Sequence, residues 1–138
     1  MKTMKILQPP GWAKPKGYSN GIAVKGGTAV FVAGQIAFDS KNIIQEKTFA
    51  GQFRQTLKNT LAVLAEAGAK PEHIVRMTWY ILDKKEYLGA IKEVGAVYRE
   101  LIGRHYPAMA VVQVGALMED EAKVEIETTA VVPDGNPS

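Results

Sequence analysis

Hydrophobic positions along the chain change period several times, and those changes divide it into elements. From 48 to 67, Phe49, Phe53, Leu57, Leu61 and Leu64 recur every three or four residues and make one apolar stripe, with Arg54, Lys58 and Glu66 off it. Gly68 suits the left-handed position just past a helix end, and Pro71 follows. A second helix opens at Asp83, where Asp83 and Glu86 read as a capping box. Tyr87, Ile91, Val94, Tyr98 and Leu101 form its stripe, and Gly103 ends it. Elsewhere the period is two. Residues 73–82 are rich in β-branched and aromatic types. In 109–116, Met109, Val111 and Gln113 alternate with Ala110, Val112 and Val114. In 123–132, Lys123, Glu125 and Glu127 alternate with Val124, Ile126, Thr128 and Ala130. Nearer the start, a proline-rich arm with a short strand at 5–8 leads into two strands that bracket Gly26-Gly27, a hairpin signal. The order β-β-α-β-α-β-β predicts an α+β domain with one mixed sheet and both helices on one face. The other face carries Val, Met, Thr and Gln rather than an array of charges, so a second copy of the chain is expected to cover it.

Length and composition narrow this picture without redirecting it. With 138 residues the chain makes one domain, 1–138, with a core over about 16–132 and a frayed tail at 133–138. The absence of cysteine excludes disulfides, thiolate nucleophiles and Cys-ligated zinc. A net charge of +3, spread among opposite charges, does not point to nucleic acid. No segment has the apolar length of a signal peptide or a membrane span, so a cytoplasmic protein without a membrane partner is expected.

Motifs for nucleotide, zinc-protease or serine-hydrolase chemistry are missing. His73 and His105 sit at element boundaries and read as loop residues, so neither a metal nor a cofactor is expected. Ser19, Ser40 and Ser138 have no His/Asp partners in a recognisable order. Glu125 and Glu127 share one strand face. They either form a wet surface or place a carboxylate at the mouth of a cleft, where it would activate a water. The pattern alone leaves both open.

Five stretches taken together, in order, resemble the Rid family of reactive intermediate deaminases, also called YjgF-like or L-PSP proteins. They are "YSNGIAVKGGTAVFVAGQIAFD", "QFRQTLKNTLAVLAEAGAKPEHIVRMTWYILD", "EVGAVYREL", "YPAMAVVQV" and "KVEIETTAV". The spacing differs between Tyr87 and Tyr98 and just before Lys123, where this chain is longer. The resemblance implies a chorismate-mutase-like fold and a homotrimer with clefts between subunits. It also implies hydrolysis of small enamines and imines such as 2-aminoacrylate to a 2-keto acid and ammonia. Residue by residue, Tyr18 matches the family tyrosine, Gly34 the glycine of its "SGQ" (with Ala33 at the serine) and Glu125 the glutamate that positions water. Gly95 stands where the family has an asparagine, Val111 where some members have Cys, and Met109 where an arginine grips the substrate carboxylate. Trp12, Arg76 and Arg104 are further candidates for the cleft, the arginines as replacement cations. The expected substrate is therefore a small, labile, more apolar enamine or imine that is not a typical 2-imino acid. Rival readings are a non-catalytic protein that binds a small metabolite, and an endoribonuclease or translation inhibitor. The last lacks a basic stripe or a stacking array of aromatics.

Overall fold

The computed structural model describes residues 4–135. Its elements in order are β1 (Met4–Leu7), β2 (Gly21–Val24), β3 (Thr28–Gln35), α1 (Phe49–Glu66), β4 (Ile74–Ile81), α2 (Lys84–Gly89), α3 (Ile91–Leu101), β5 (Ala108–Gln113) and β6 (Val124–Val132). The main sheet runs β3-β6-β4-β5. The β4–β5 pair is parallel and the others antiparallel, so the sheet is mixed. This matches the expected α+β architecture. The tail residues 136–138 lie outside the described residues.

Strand period decides which face is buried. In β6, Val124, Ile126, Thr128, Ala130 and Val132 are buried against the helices, and the residues between them face the other way. In β4, Ile74, Met77, Trp79 and Ile81 are buried. From α1, Phe53, Leu57 and Leu64 fill the space above the sheet with no exposed surface. Each such side chain contributes roughly 1.5–3 kcal/mol by leaving water. The Phe53 ring meets Trp79 edge-on at 4.8 Å. Thr48 caps α1, its side chain accepting from the Gly51 N–H at 3.0 Å.

Two local expectations are corrected. Gly26-Gly27 does not close a hairpin, because β2 pairs with β1 in a separate two-stranded ribbon while β3 pairs with β6. Both glycines have positive φ, and a Cβ on Gly27 would approach the Val132 carbonyl oxygen at 2.6 Å. They turn a corner between two sheets, pressed against the end of β6. The second helix is broken in two. Asp83 caps α2, accepting from the Lys85 and Glu86 N–H groups, but Glu86 reaches Lys123 Nζ at 2.7 Å and does not close the box. The chain turns at Gly89-Ala90 before α3 starts. Gly89 weakens helix propagation there.

One polar side chain fixes the loop ahead of β6. Gln52, buried on α1, donates through Nε2 to the Glu46 and Glu121 carbonyls, and its Oε1 accepts from the Lys123 N–H at 2.8 Å. The acidic segment 117–122 is thereby tied to α1, and β6 starts in a defined register.

Candidate functional site

Register settles where the residues of β5 point. In a parallel pair, Met77 lies beside Met109 and Trp79 beside Val111. Met77 and Trp79 face the helices, so Met109 and Val111 do too. β5 is the sheet edge, and between it and the helical segment 84–101 lies a cavity of about 520 Å³. Trp79, Met109 and Val111 form its floor, Tyr87, Ile91, Val94 and Gly95 its helical wall, and Tyr98 and Tyr106 its end. Residues Lys16, Gly17 and Tyr18 of the arm close the remaining side.

Ser19 holds that arm in place. Its N–H donates to the Pro107 carbonyl at 2.9 Å and its hydroxyl to the Tyr106 carbonyl at 2.5 Å. Tyr18 is thus carried to the cavity by a neighbour whose hydroxyl has a structural task. Tyr98 donates to the His105 carbonyl at 2.5 Å and stacks on Tyr106 with centroids 5.6 Å apart. Burial pushes the Tyr98 phenol well above its ordinary range, with Tyr106 adding to the effect, and burial also raises Tyr87. Both are neutral walls rather than bases. The buried Trp79 indole N–H has no hydrogen-bond partner.

The second group of site residues lies on the opposite side of the sheet. Glu125 stands in register with Tyr80, and Tyr80 with Val112, all on the face without helices. β3 bulges between Val32 and Gln35 and brings Gly34 beneath the Glu125 side chain. A Cβ at Gly34 would collide with the Glu125 carboxylate and lie 2.9 Å from its Cδ. On the same face Tyr80 donates to Glu127 at 2.6 Å, which holds the Tyr80 phenol above its usual range. Arg76 is also there, beside Thr78 and Glu127 in a shallow depression.

The sequence-derived residues therefore fall into two groups on opposite sides of the sheet. Tyr18, Gly95, Met109 and Val111 line the cavity, while Gly34 and Glu125 meet across the sheet. Trp12 is exposed and does not line the cavity. Arg76 is on the helix-free face, and exposed Arg104 is not among the lining residues. The cations that do line the cavity, Lys16 and Arg99, were missed. Arg99 was legible in principle, since it follows Gly95 by one helical turn. His73 Nδ1 accepts from the Lys70 N–H and His105 Nε2 lies 2.6 Å from the Ile74 carbonyl oxygen. Among the described residues no cluster of His, Asp and Glu has the geometry of a metal site.

Residues 12–132 match the family model described as Endoribonuclease L-PSP. The chain belongs to this family. Within the L-PSP or Rid group, a RutC family protein of Synechocystis sp. is 36% identical over 134 residues, covering 95% of this chain and 98% of the relative. The 2-iminobutanoate/2-iminopropanoate deaminase of Salmonella typhimurium is 33% identical over 133 residues, covering 94% and 97%. The crystal structure of the Rid protein YyfB from Yersinia pestis superposes with a TM-score of 0.81 at 28% identity, covering 95% of this chain and 100% of that one. Among the described residues no helix is long and apolar enough to cross a membrane.

Proposed function

We propose that this L-PSP-family protein hydrolyses the C–N bond of a small, labile enamine or imine with an apolar body. The cavity holds the substrate, and Glu125 activates the water. The observation that carries the reading is the convergence of Tyr18, Gly95, Met109 and Val111 on one cavity. Similarity to a 2-iminobutanoate/2-iminopropanoate deaminase over nearly the whole chain supports the reaction type. In the reaction, Glu125 takes a proton from water as the oxygen adds to the imine carbon. Glu125 returns that proton to the nitrogen, then takes the proton of the added hydroxyl and delivers it to the nitrogen as the C–N bond breaks, so ammonia leaves a carbonyl product; an enamine first tautomerises to the imine. Because Glu125 faces away from the cavity of its own chain, it serves the cavity of a neighbouring copy in a closed homotrimer.

Met109 sets the substrate class. A bidentate arginine at that strand position contributes about 3–5 kcal/mol toward a carboxylate, and a thioether contributes none of it. A typical 2-imino acid therefore lacks its strand anchor here.

The test is ammonia release from a panel of neutral and carboxylated imines. Glu125→Ala is expected to lower turnover by at least about 100-fold on every substrate used, the scale of a lost general base. Unchanged turnover on all of them overturns the role of Glu125, and binding without turnover by the wild type overturns the enzyme. Met109→Arg is expected to gain activity on 2-aminoacrylate.

A further inference from the structure

The cavity has a cation of its own, and it comes from the helix rather than the strand. Arg99 lines the cavity from α3 and Lys16 from the arm, and no Asp or Glu is among the lining residues. The guanidinium folds back across Gly95, four residues earlier. A Cβ at Gly95 would lie 3.3 Å from Nη1 and 3.9 Å from Nη2 of Arg99. Any longer side chain at Gly95 would compete for the volume the guanidinium fills. Gly95 is thus the residue that lets Arg99 lie over the cavity wall. Among the described residues Arg99 has no carboxylate partner, since the ion pairs are Arg54–Glu100 and Lys123–Glu86. Arg99 is exposed at the rim, so its guanidinium, without a counter-charge and beside the aromatic and aliphatic lining, is open to a carboxylate.

We infer that Arg99 is the substrate-anchoring residue of this protein and that its substrate is an anion: an imine or enamine bearing a carboxylate on an apolar, preferably aromatic body. The carboxylate is gripped from α3, assisted by Lys16. Met109 and Val111, freed from that task, receive the apolar part. This inference rests on the hydrolase reading and deepens it, since it moves the anchor across the cavity and leaves Glu125 its role.

Two stable probes test it on the intact protein by calorimetry: 3-phenylpropanoate and its neutral isostere 3-phenylpropanamide. The wild type is expected to prefer the carboxylate by about tenfold or more, and Arg99→Gln to weaken carboxylate binding about 10- to 100-fold while leaving the amide unchanged. Arg99→Lys should recover part of the loss, and Gly95→Asn should imitate it by displacing the guanidinium. Arg104→Gln, outside the cavity, should change neither probe. The inference is overturned by an Arg99→Gln protein with unaltered carboxylate affinity, by equal losses for both probes, or by a wild type that binds neither. The two readings fail separately. Glu125-dependent ammonia release that ignores Arg99 sinks the anchor alone, and Arg99-dependent binding with no ammonia release sinks the hydrolase alone.

Discussion

At the scale of single residues, the informative positions are those where a side chain is missing. Gly34 yields its Cβ space to the Glu125 carboxylate, and Gly95 yields its own to the Arg99 guanidinium. The two glycines therefore predict two different failures. In Gly34→Ala the obstacle is the far end of a flexible side chain, so the carboxylate swings aside. Stability should change by about 1 kcal/mol or less, measured by urea unfolding. Turnover should fall about tenfold or more because the acid no longer sits where it did. Adding Gly34→Ala to Glu125→Gln should cost nothing further, since both act through one group. Full activity in Gly34→Ala would show that the pose of Glu125 is irrelevant. The face of Glu125 was legible in the sequence because a period of two allows nothing else. Its contact with Gly34 was not, because a bulge in a distant strand creates it.

At the scale of elements, legibility followed locality. The stripes of α1, β4 and β6 were readable because each is a property of consecutive residues, and the structure reproduces them within a residue or so at each end. The break between α2 and α3 was not readable, since the apolar stripe continues through Gly89-Ala90 and hides it. The hairpin failed for a related reason: paired glycines announce a turn but not which strands flank it. Gln52 is the clearest case of a hidden tie, a polar residue in a helix pattern whose three hydrogen bonds all reach loop backbone. Gln52→Met keeps the volume and removes the bonds. It should destabilise the protein by about 1–3 kcal/mol, because the part-buried backbone groups of Glu121 and Lys123 lose their partners. Asp83→Ala should cost about 1 kcal/mol through the loss of a helix cap. Urea midpoints compare the two directly, and a Gln52→Met protein no weaker than Asp83→Ala would refute the tie.

At the scale of the whole molecule, the sheet has two dissimilar faces, and the two groups of candidate residues lie on opposite ones. The helix-free face carries Phe31, 77% exposed, and Val112, 40% exposed, beside the row that contains Tyr80 and Glu125. An apolar face of this kind is stable in water when another copy covers it. In the proposed trimer, covering it would also bring the Glu125 of one copy toward the cavity of the next, whereas no movement within one chain can pass a carboxylate through a sheet. The consequence can be measured by mixing two inactive proteins. Glu125→Ala keeps its cavity and loses its acid; Gly95→Phe keeps its acid and fills its cavity. After joint unfolding and refolding in equal amounts, each cleft draws its cavity from one copy and its acid from another. Random assembly then makes about a quarter of the clefts wholly wild type, and the mixture should recover about that share of wild-type turnover. Neither parent refolded alone should recover any. Phe31→Glu, placed in both parents, should break the assembly in sedimentation and abolish the recovery. A silent mixture in which sedimentation nevertheless finds mixed trimers would mean that cavity and acid do not work together across copies, and Glu125 would revert to one carboxylate on a wet face.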